Sequence, residues 1–226
     1  MTDTSSSAAE VRIASGPAWL TGDLQVPGSL RGVVLFAHGS GSGRHSARNR
    51  QVAQRFRQLG VATLLFDLLT DGEQQADDAT RRHRFDIPLL ARRMQDASDW
   101  AATQPQLRTA PLGYYGASTG SAAAQVAAAR SSHPVAAIVS RGGRPDLAGL
   151  EALAAVRAPT LLIVGGADIE VLALNKWALE RMACKRHLTV VPGASHLFEE
   201  PGTLEQAADA AAAWFQEHFT TRESVA

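Results

Sequence analysis

Short, almost wholly apolar runs alternate with longer amphipathic stretches through most of the 226-residue chain. The apolar runs are "GVVLFAH" (32–38), "VATLLFD" (61–67), "APLGYYGA" (110–117), "VAAIVS" (135–140), "PTLLIVGGAD" (159–168) and the segment ending in "RHLTVVPGASH". Runs this short, rich in β-branched residues and bounded by glycine or proline, are strands buried on both faces. Between them lie helical patterns. "SARNRQVAQRFRQLG" places Val52, Phe56 and Leu59 on one face and stops at Gly60. "FDIPLLARRMQDASDWAAT" has Asp86 as N-cap, Pro88 in its first turn, and Leu90, Met94 and Ala97 aligned. An alanine-rich helix follows residue 118, another spans about 170–182, and "TLEQAADAAAAWFQEHF" closes the pattern.

"AWLTGDLQVP" (18–27) reads as an antiparallel strand ended by Pro27-Gly28. Residues 1–9 are expected to be disordered, 10–219 to form one domain, and 220–226 to be a flexible tail. Residues 68–84 read as a polar, charged loop. Strands alternating with helices predict a three-layer α/β fold: a mainly parallel sheet with helices on both faces and no sizeable lid domain. Ligands of such sheets bind at the carboxyl ends of the strands, so the loops there become the place to look for chemistry.

Four of those loops carry a pattern. "GASTG" holds Ser118 between Gly116 and Gly120 at a strand-to-helix turn, the context of a nucleophile elbow. Such a serine needs a base to take its proton, and His196 in "GASHLFEEPG" sits in the loop after the last strand. Asp168, ending "LLIVGGAD", can orient that histidine, with Glu170 and then Asp146 as weaker candidates. "AHGSGSG" (37–43) offers free backbone N–H groups for an oxyanion hole, shared between Thr119 and Ser40, with Gly41 next. Ser118 is also placed to cap the helix it opens.

These motifs, over about residues 18–218, resemble the α/β-hydrolase superfamily and within it the dienelactone hydrolase family. The resemblance implies hydrolysis of a carboxylic ester through an acyl-enzyme, in the order nucleophile, acid, base. Dienelactone hydrolases carry a cysteine nucleophile and a glutamate beside the oxyanion loop, whereas this chain has Ser118 and Gly39. The expectation is therefore a serine esterase acting on a small or short-chain acyl substrate. Thioester or peptide hydrolysis, acyl transfer and perhydrolysis use the same triad and stay open.

Two other classes compete. A nucleotide-binding Rossmann-like protein would use the 39–43 glycine loop, with Asp67 on the ribose. Its G-x-G-x-x-G fingerprint fails, because the last glycine falls at Arg44 or Ser46. A non-hydrolytic binding protein of the same fold has no need of all three catalytic groups. Composition narrows the partners further: 22 basic and 22 acidic residues give no general pull toward nucleic acid or anionic membrane. No apolar run approaches the ~18 residues of a membrane span, "MTDTSSSAAE" lacks the apolar core of a signal peptide, and the one cysteine, Cys184, fits a reducing compartment. The expectation is a cytoplasmic protein with no cofactor and no metal, whose partner is a small-molecule ester. Arg44, His45, Arg48, Arg141 and Arg144 are candidates for binding an anionic group; solvation or ion pairing is the plainer reading for all five, with Asp146 the partner for Arg141 and Arg144.

Overall fold

The computed structural model describes residues 7–219. Its one sheet has eight strands: β1 (Ser7–Ser15), β2 (Ala18–Val26), β3 (Gly32–Ala37), β4 (Val61–Phe66), β5 (Leu112–Ala117), β6 (Val135–Arg141), β7 (Thr160–Gly165) and β8 (Arg186–Val191). They lie in the order β1-β2-β4-β3-β5-β6-β7-β8. The β1–β2 and β2–β4 pairs are antiparallel, and every other neighbouring pair is parallel. The helices are α1 (Ala47–Gln58), α2 (Asp71–Thr80), α3 (Ile87–Thr103), α4 (Thr119–Arg130), α5 (Gly149–Ala155), α6 (Ile169–Arg181) and α7 (Thr203–His218).

The wholly apolar strands are explained by two cores, one on each face. Side chains alternate across a strand, so Leu35 and Tyr114 join Leu90, Met94 and the alanines of α4 on one face. Phe36 and Tyr115 point the other way, into Phe56 of α1 and Phe215 of α7. There the Phe36 and Tyr115 rings lie 4.9 Å apart, and Phe56 meets Phe215 edge-on at 5.3 Å. Small residues on α4 let it lie close against the sheet, and its Ala122, Ala123 and Ala124 are completely buried. After β6, a short 3-10 turn (Pro145–Ala148) and the seven-residue α5 stand where a lid domain would otherwise be inserted.

Two expectations need correction. The start of the chain is ordered from Ser7, since β1 pairs with β2 along its whole length, from Ser7 opposite Val26 to Ser15 opposite Ala18. Backbone pairing carries this strand: only its last residues, Ile13 and Ser15, are buried, so its hydrophobic pattern is faint. Residues 1–6, expected to be disordered, and 220–226, expected to be a flexible tail, lie outside the described residues.

The 68–84 loop is the second correction, because it contains α2. Its start is a capping box: Thr70 Oγ1 accepts from Glu73 N at 3.2 Å and Glu73 Oε2 accepts from Thr70 N at 2.8 Å. With no apolar face, α2 is held by polar contacts. The buried Asp77 accepts from His83 N at 2.7 Å, Arg84 N at 2.9 Å and Arg84 Nε at 2.6 Å. Burial by itself would raise the Asp77 pKa, but the hydrogen bonds from Arg84 and His83 outweigh it and hold the carboxyl below its ordinary value of 3.8.

That depression has a consequence for acid stability. An acid with a depressed folded pKa stabilises the fold above its unfolded value, and the contribution is lost as pH falls through the folded value. Stability measured by denaturant unfolding should thus fall more steeply below about pH 4 in the natural protein than in Asp77→Asn. Equal slopes would remove Asp77 from the acid response.

Candidate active site

The β5–α4 junction is a strained elbow. Ser118 has φ 50° and ψ −121°, a conformation costing on the order of 1–3 kcal/mol in a non-glycine residue. The surroundings over-determine it. Ser118 N donates to Arg141 O at 3.1 Å, while Ser118 O accepts from Ser121 N, Ser121 Oγ and Arg144 N at 3.1, 2.8 and 3.2 Å. A Cβ at Gly120 would collide with the Ala37 and His38 carbonyls, and one at Gly116 with the backbone of Ser121. These close approaches, rather than turn freedom, require both glycines. Ser118 makes no side-chain cap to α4, contrary to the sequence reading, so its hydroxyl is free for another partner.

That partner is His196. Its Nε2 lies 3.3 Å from Ser118 Oγ, and its Nδ1 lies 2.6 Å from Asp168 Oδ2. With Nδ1–H donating to the carboxylate, Nε2 is left to accept the serine proton. Asp168 stands at the N-cap of α6, yet makes no side-chain cap there; its carboxylate is committed to the imidazole. The other acids are elsewhere: Asp146 grips Arg144 at 2.7 and 2.8 Å, and Glu170 is exposed.

The loops bearing Asp168 and His196 are stitched together. Ala167 N donates to Ala194 O at 2.9 Å and Gly166 N to Val191 O at 2.8 Å. Ser195 N donates to Glu200 Oε2 at 2.9 Å, and this N–H holds the carboxyl of the half-buried Glu200 below its ordinary pKa. Phe198 sits at φ 56° with its ring buried, anchoring the loop from below. Nothing in the sequence pattern singles out Glu200 or Phe198, although both belong to the "HLFEE" run.

The glycine loop after β3 lies against the elbow. Ser40, Gly41 and Thr119 line one small recess, and Ser40 also borders the cavity that holds Ser118 and His196. His38 ties this loop to β4. Its Nε2 accepts from Leu68 N at 2.9 Å, so Nδ1 carries the proton and donates to Gly39 O at 3.0 Å. Burial pushes its pKa down, which favours the neutral ring that this pair of bonds needs. Arg44 fixes the far end, its N–H on Asp67 Oδ1 at 2.8 Å and its guanidinium among Glu10, Asp23 and Asp67. The 39–43 loop is thereby committed to the serine elbow, leaving the Rossmann reading without support.

Gly39 is where the loop packs directly on the serine. A Cβ there would meet Ser118 Cβ at 3.2 Å and Ala117 O at 3.3 Å. Gly39→Val should displace the loop from the elbow and lower kcat by about 10²–10³-fold, the scale of losing one oxyanion donor, with the circular dichroism spectrum unchanged. Undiminished turnover would remove this loop from catalysis.

The cavity over Ser118 measures about 270 Å3 and includes Ser42, Arg141 and Leu197 in its wall. A larger one of about 540 Å3 lies at the opposite ends of the strands, beside Val33, Leu112 and Ala136, away from these groups. Among the described residues no cluster suited to a metal ion occurs, and no helix is long and apolar enough to cross a membrane.

Comparison with known proteins agrees with this arrangement. Residues 30–220 match the model of a family described as an alpha/beta hydrolase domain. A dienelactone hydrolase structure from Anabaena variabilis is 51% identical, covers 94% of this chain and 98% of its own, and superposes with a TM-score of 0.92. Est1E from Butyrivibrio proteoclasticus, 15% identical over 92% of this chain and 98% of its own, shares the fold with a TM-score of 0.77. A Mycobacterium tuberculosis protein named as a phosphoribosyl transferase is 57% identical over 210 residues, 93% of this chain. The chain spans only 46% of that relative's length. With the sheet order, the serine elbow and these likenesses together, the chain belongs to the α/β-hydrolase family and resembles its dienelactone hydrolases.

Proposed function

We propose that this hydrolase cleaves a small carboxylic ester through an acyl-enzyme on Ser118. The continuous relay from Ser118 Oγ through His196 to Asp168 is the observation that carries this reading. In the first half-reaction Ser118 Oγ attacks the ester carbonyl while its proton passes to His196 Nε2. Asp168 stabilises the imidazolium that forms. The carbonyl oxygen, now negative, is held by the N–H groups of Thr119 and Ser40, with Gly41 beside them. His196 then returns the proton to the departing alcohol. Water repeats the sequence on the acyl-enzyme and releases the acid. The 3.3 Å serine–histidine contact is long for a hydrogen bond, and such contacts tighten when substrate excludes water.

The modest cavity and the absence of an inserted lid favour short acyl groups. In a panel of p-nitrophenyl esters, kcat/KM for acetate and butyrate should exceed that for decanoate by about tenfold or more, the scale of one methylene that a pocket does not accommodate. Preference for decanoate would contradict the small-acyl assignment. The relay also favours acyl chemistry over the glycosyl transfer implied by the name of the M. tuberculosis relative, more than half of which lies outside the matched region.

A further inference from the structure

Arg141, at the end of β6, is a buried cation without a carboxylate. It is 6% exposed, and no acidic side chain pairs with it among the described residues. Its Nε has no partner, its Nη2 reaches Asn49 Oδ1 only at 3.5 Å, and its guanidinium lies 5.4 Å from the centre of the Phe198 ring. A buried charge left this way is costly unless something compensates it. Among the described residues the two other strongly buried Asp or Arg side chains each have a counter-ion: Asp77 has Arg84, and Arg93 has Glu73 at 2.8 Å. Arg141 instead borders the cavity beside Ser118 and His196.

A second cationic element ends in the same cavity. The 12-residue helix α1 starts there, its N-cap Ser46 and first-turn residues Arg48 and Asn49 forming part of the wall, with no acidic residue in that turn. Ser46 Oγ caps Asn49 N at 3.4 Å; the other first-turn N–H groups lack intrahelical acceptors and carry partial positive charge, so anions are favoured at this end. The Ser40, Ser42 and Ser46 hydroxyls add donors, and no Asp or Glu lines the cavity.

We infer that Arg141 and the N-terminus of α1 form an anion subsite for a phosphoryl group carried by the ester substrate. The inference rests on the hydrolase reading above and goes beyond it by naming the substrate class, a phosphorylated ester. The donors approach from different directions: the β6 guanidinium, the α1 terminus, and the serines of the 40–46 loop. A phosphate has three terminal oxygens to distribute among them, whereas a planar carboxylate is satisfied by one guanidinium edge. The subsite is distinct from the oxyanion hole, which receives the charge that develops on the carbonyl oxygen.

The test has two arms. Inorganic phosphate titrated by calorimetry at constant ionic strength should bind the natural protein and the control Arg144→Met, but not Arg141→Met; Arg141→Lys should retain weakened binding. This arm needs no turnover, so it is independent of the hydrolase reading, whose own failure would appear as no hydrolysis of p-nitrophenyl acetate. In the second arm, kcat/KM for 1-acetylglycerol 3-phosphate should exceed that for 1-acetylglycerol by about tenfold or more, on the scale of a charge-assisted contact. The preference should disappear in Arg141→Met. Absence of phosphate binding to the natural protein would overturn the proposal. Equal or better use of 3-acetoxypropionate would replace phosphate with carboxylate. A proportional fall of both acetylglycerol rates in Arg141→Met would make Arg141 a support for Phe198 and the His196 loop only.

Discussion

Replacing Ser118 with alanine is expected to lower kcat toward p-nitrophenyl acetate by roughly 10⁴–10⁶-fold, the loss typical of removing a triad nucleophile. The fold should be indifferent to the change. The Ser118 hydroxyl caps nothing in α4, and among the described residues its hydrogen-bond partner is His196 Nε2. What the position does cost is backbone strain, at φ 50°. Ser118→Gly should therefore be just as inactive yet melt at a higher temperature, since relieving such a conformation returns on the order of 1 kcal/mol or more. Inactivity combined with a gain in stability separates a functional serine from a structural one. A Ser118→Ala variant retaining a tenth of the activity would mean that another nucleophile or a bound water does the work.

The second large effect is expected at Asp168. In Asp168→Asn the amide presents either a donor or a weak acceptor to His196 Nδ1. A donor in that place forces the imidazole proton onto Nε2, where it faces Ser118 and can no longer be exchanged for the serine proton. The expected loss in kcat is about 10⁴-fold. Because Asp168 makes no side-chain cap to α6, stability should change by less than about 1 kcal/mol, the usual size of a lost N-cap. Thermal melting and steady-state kinetics on the same preparation check both halves. A loss below tenfold would transfer the orienting role away from Asp168, and a large drop in melting temperature would make it a structural residue.

How much of this could be read from the chain differs between its parts. The parallel strands were legible because burial on both faces forces uninterrupted apolar runs such as "GVVLFA" and "TLLIVG". Ser118, Asp168 and His196 each follow such a run, and topology brings the three side chains within hydrogen-bond distance in series. β1 and α2 were not legible, and for a common reason: neither depends on an apolar face. β1 is held by backbone pairing at the sheet edge, and α2 by its capping box and the Asp77–Arg84 pair. The T-D-G-E sequence at 70–73 did carry the capping signal, though no periodic apolar residues follow it.

The supporting groups around the site were harder still. His38 stands in the quoted "AHGSGSG", but that its ring bridges Gly39 and Leu68 depends on two strand ends brought together only by folding. Arg141 and Arg144 look equivalent in "SRGGRPD", yet Arg144 pairs with Asp146 at the surface while Arg141 turns inward beneath the cavity. The difference is strand parity and the end of β6, neither of which composition reveals. Of the plainer alternatives for the two, solvation or pairing with Asp146, pairing holds for Arg144, and neither holds for the buried Arg141.

The proposed chemistry begins at a single atom, Ser118 Oγ. Incubating the protein with a fluorophosphonate and mapping the adduct by mass spectrometry tests it most directly. One adduct per chain, on Ser118, is expected, with labelling abolished in His196→Ala, where no base remains to activate the hydroxyl. No adduct, or an adduct on any other serine, would contradict it.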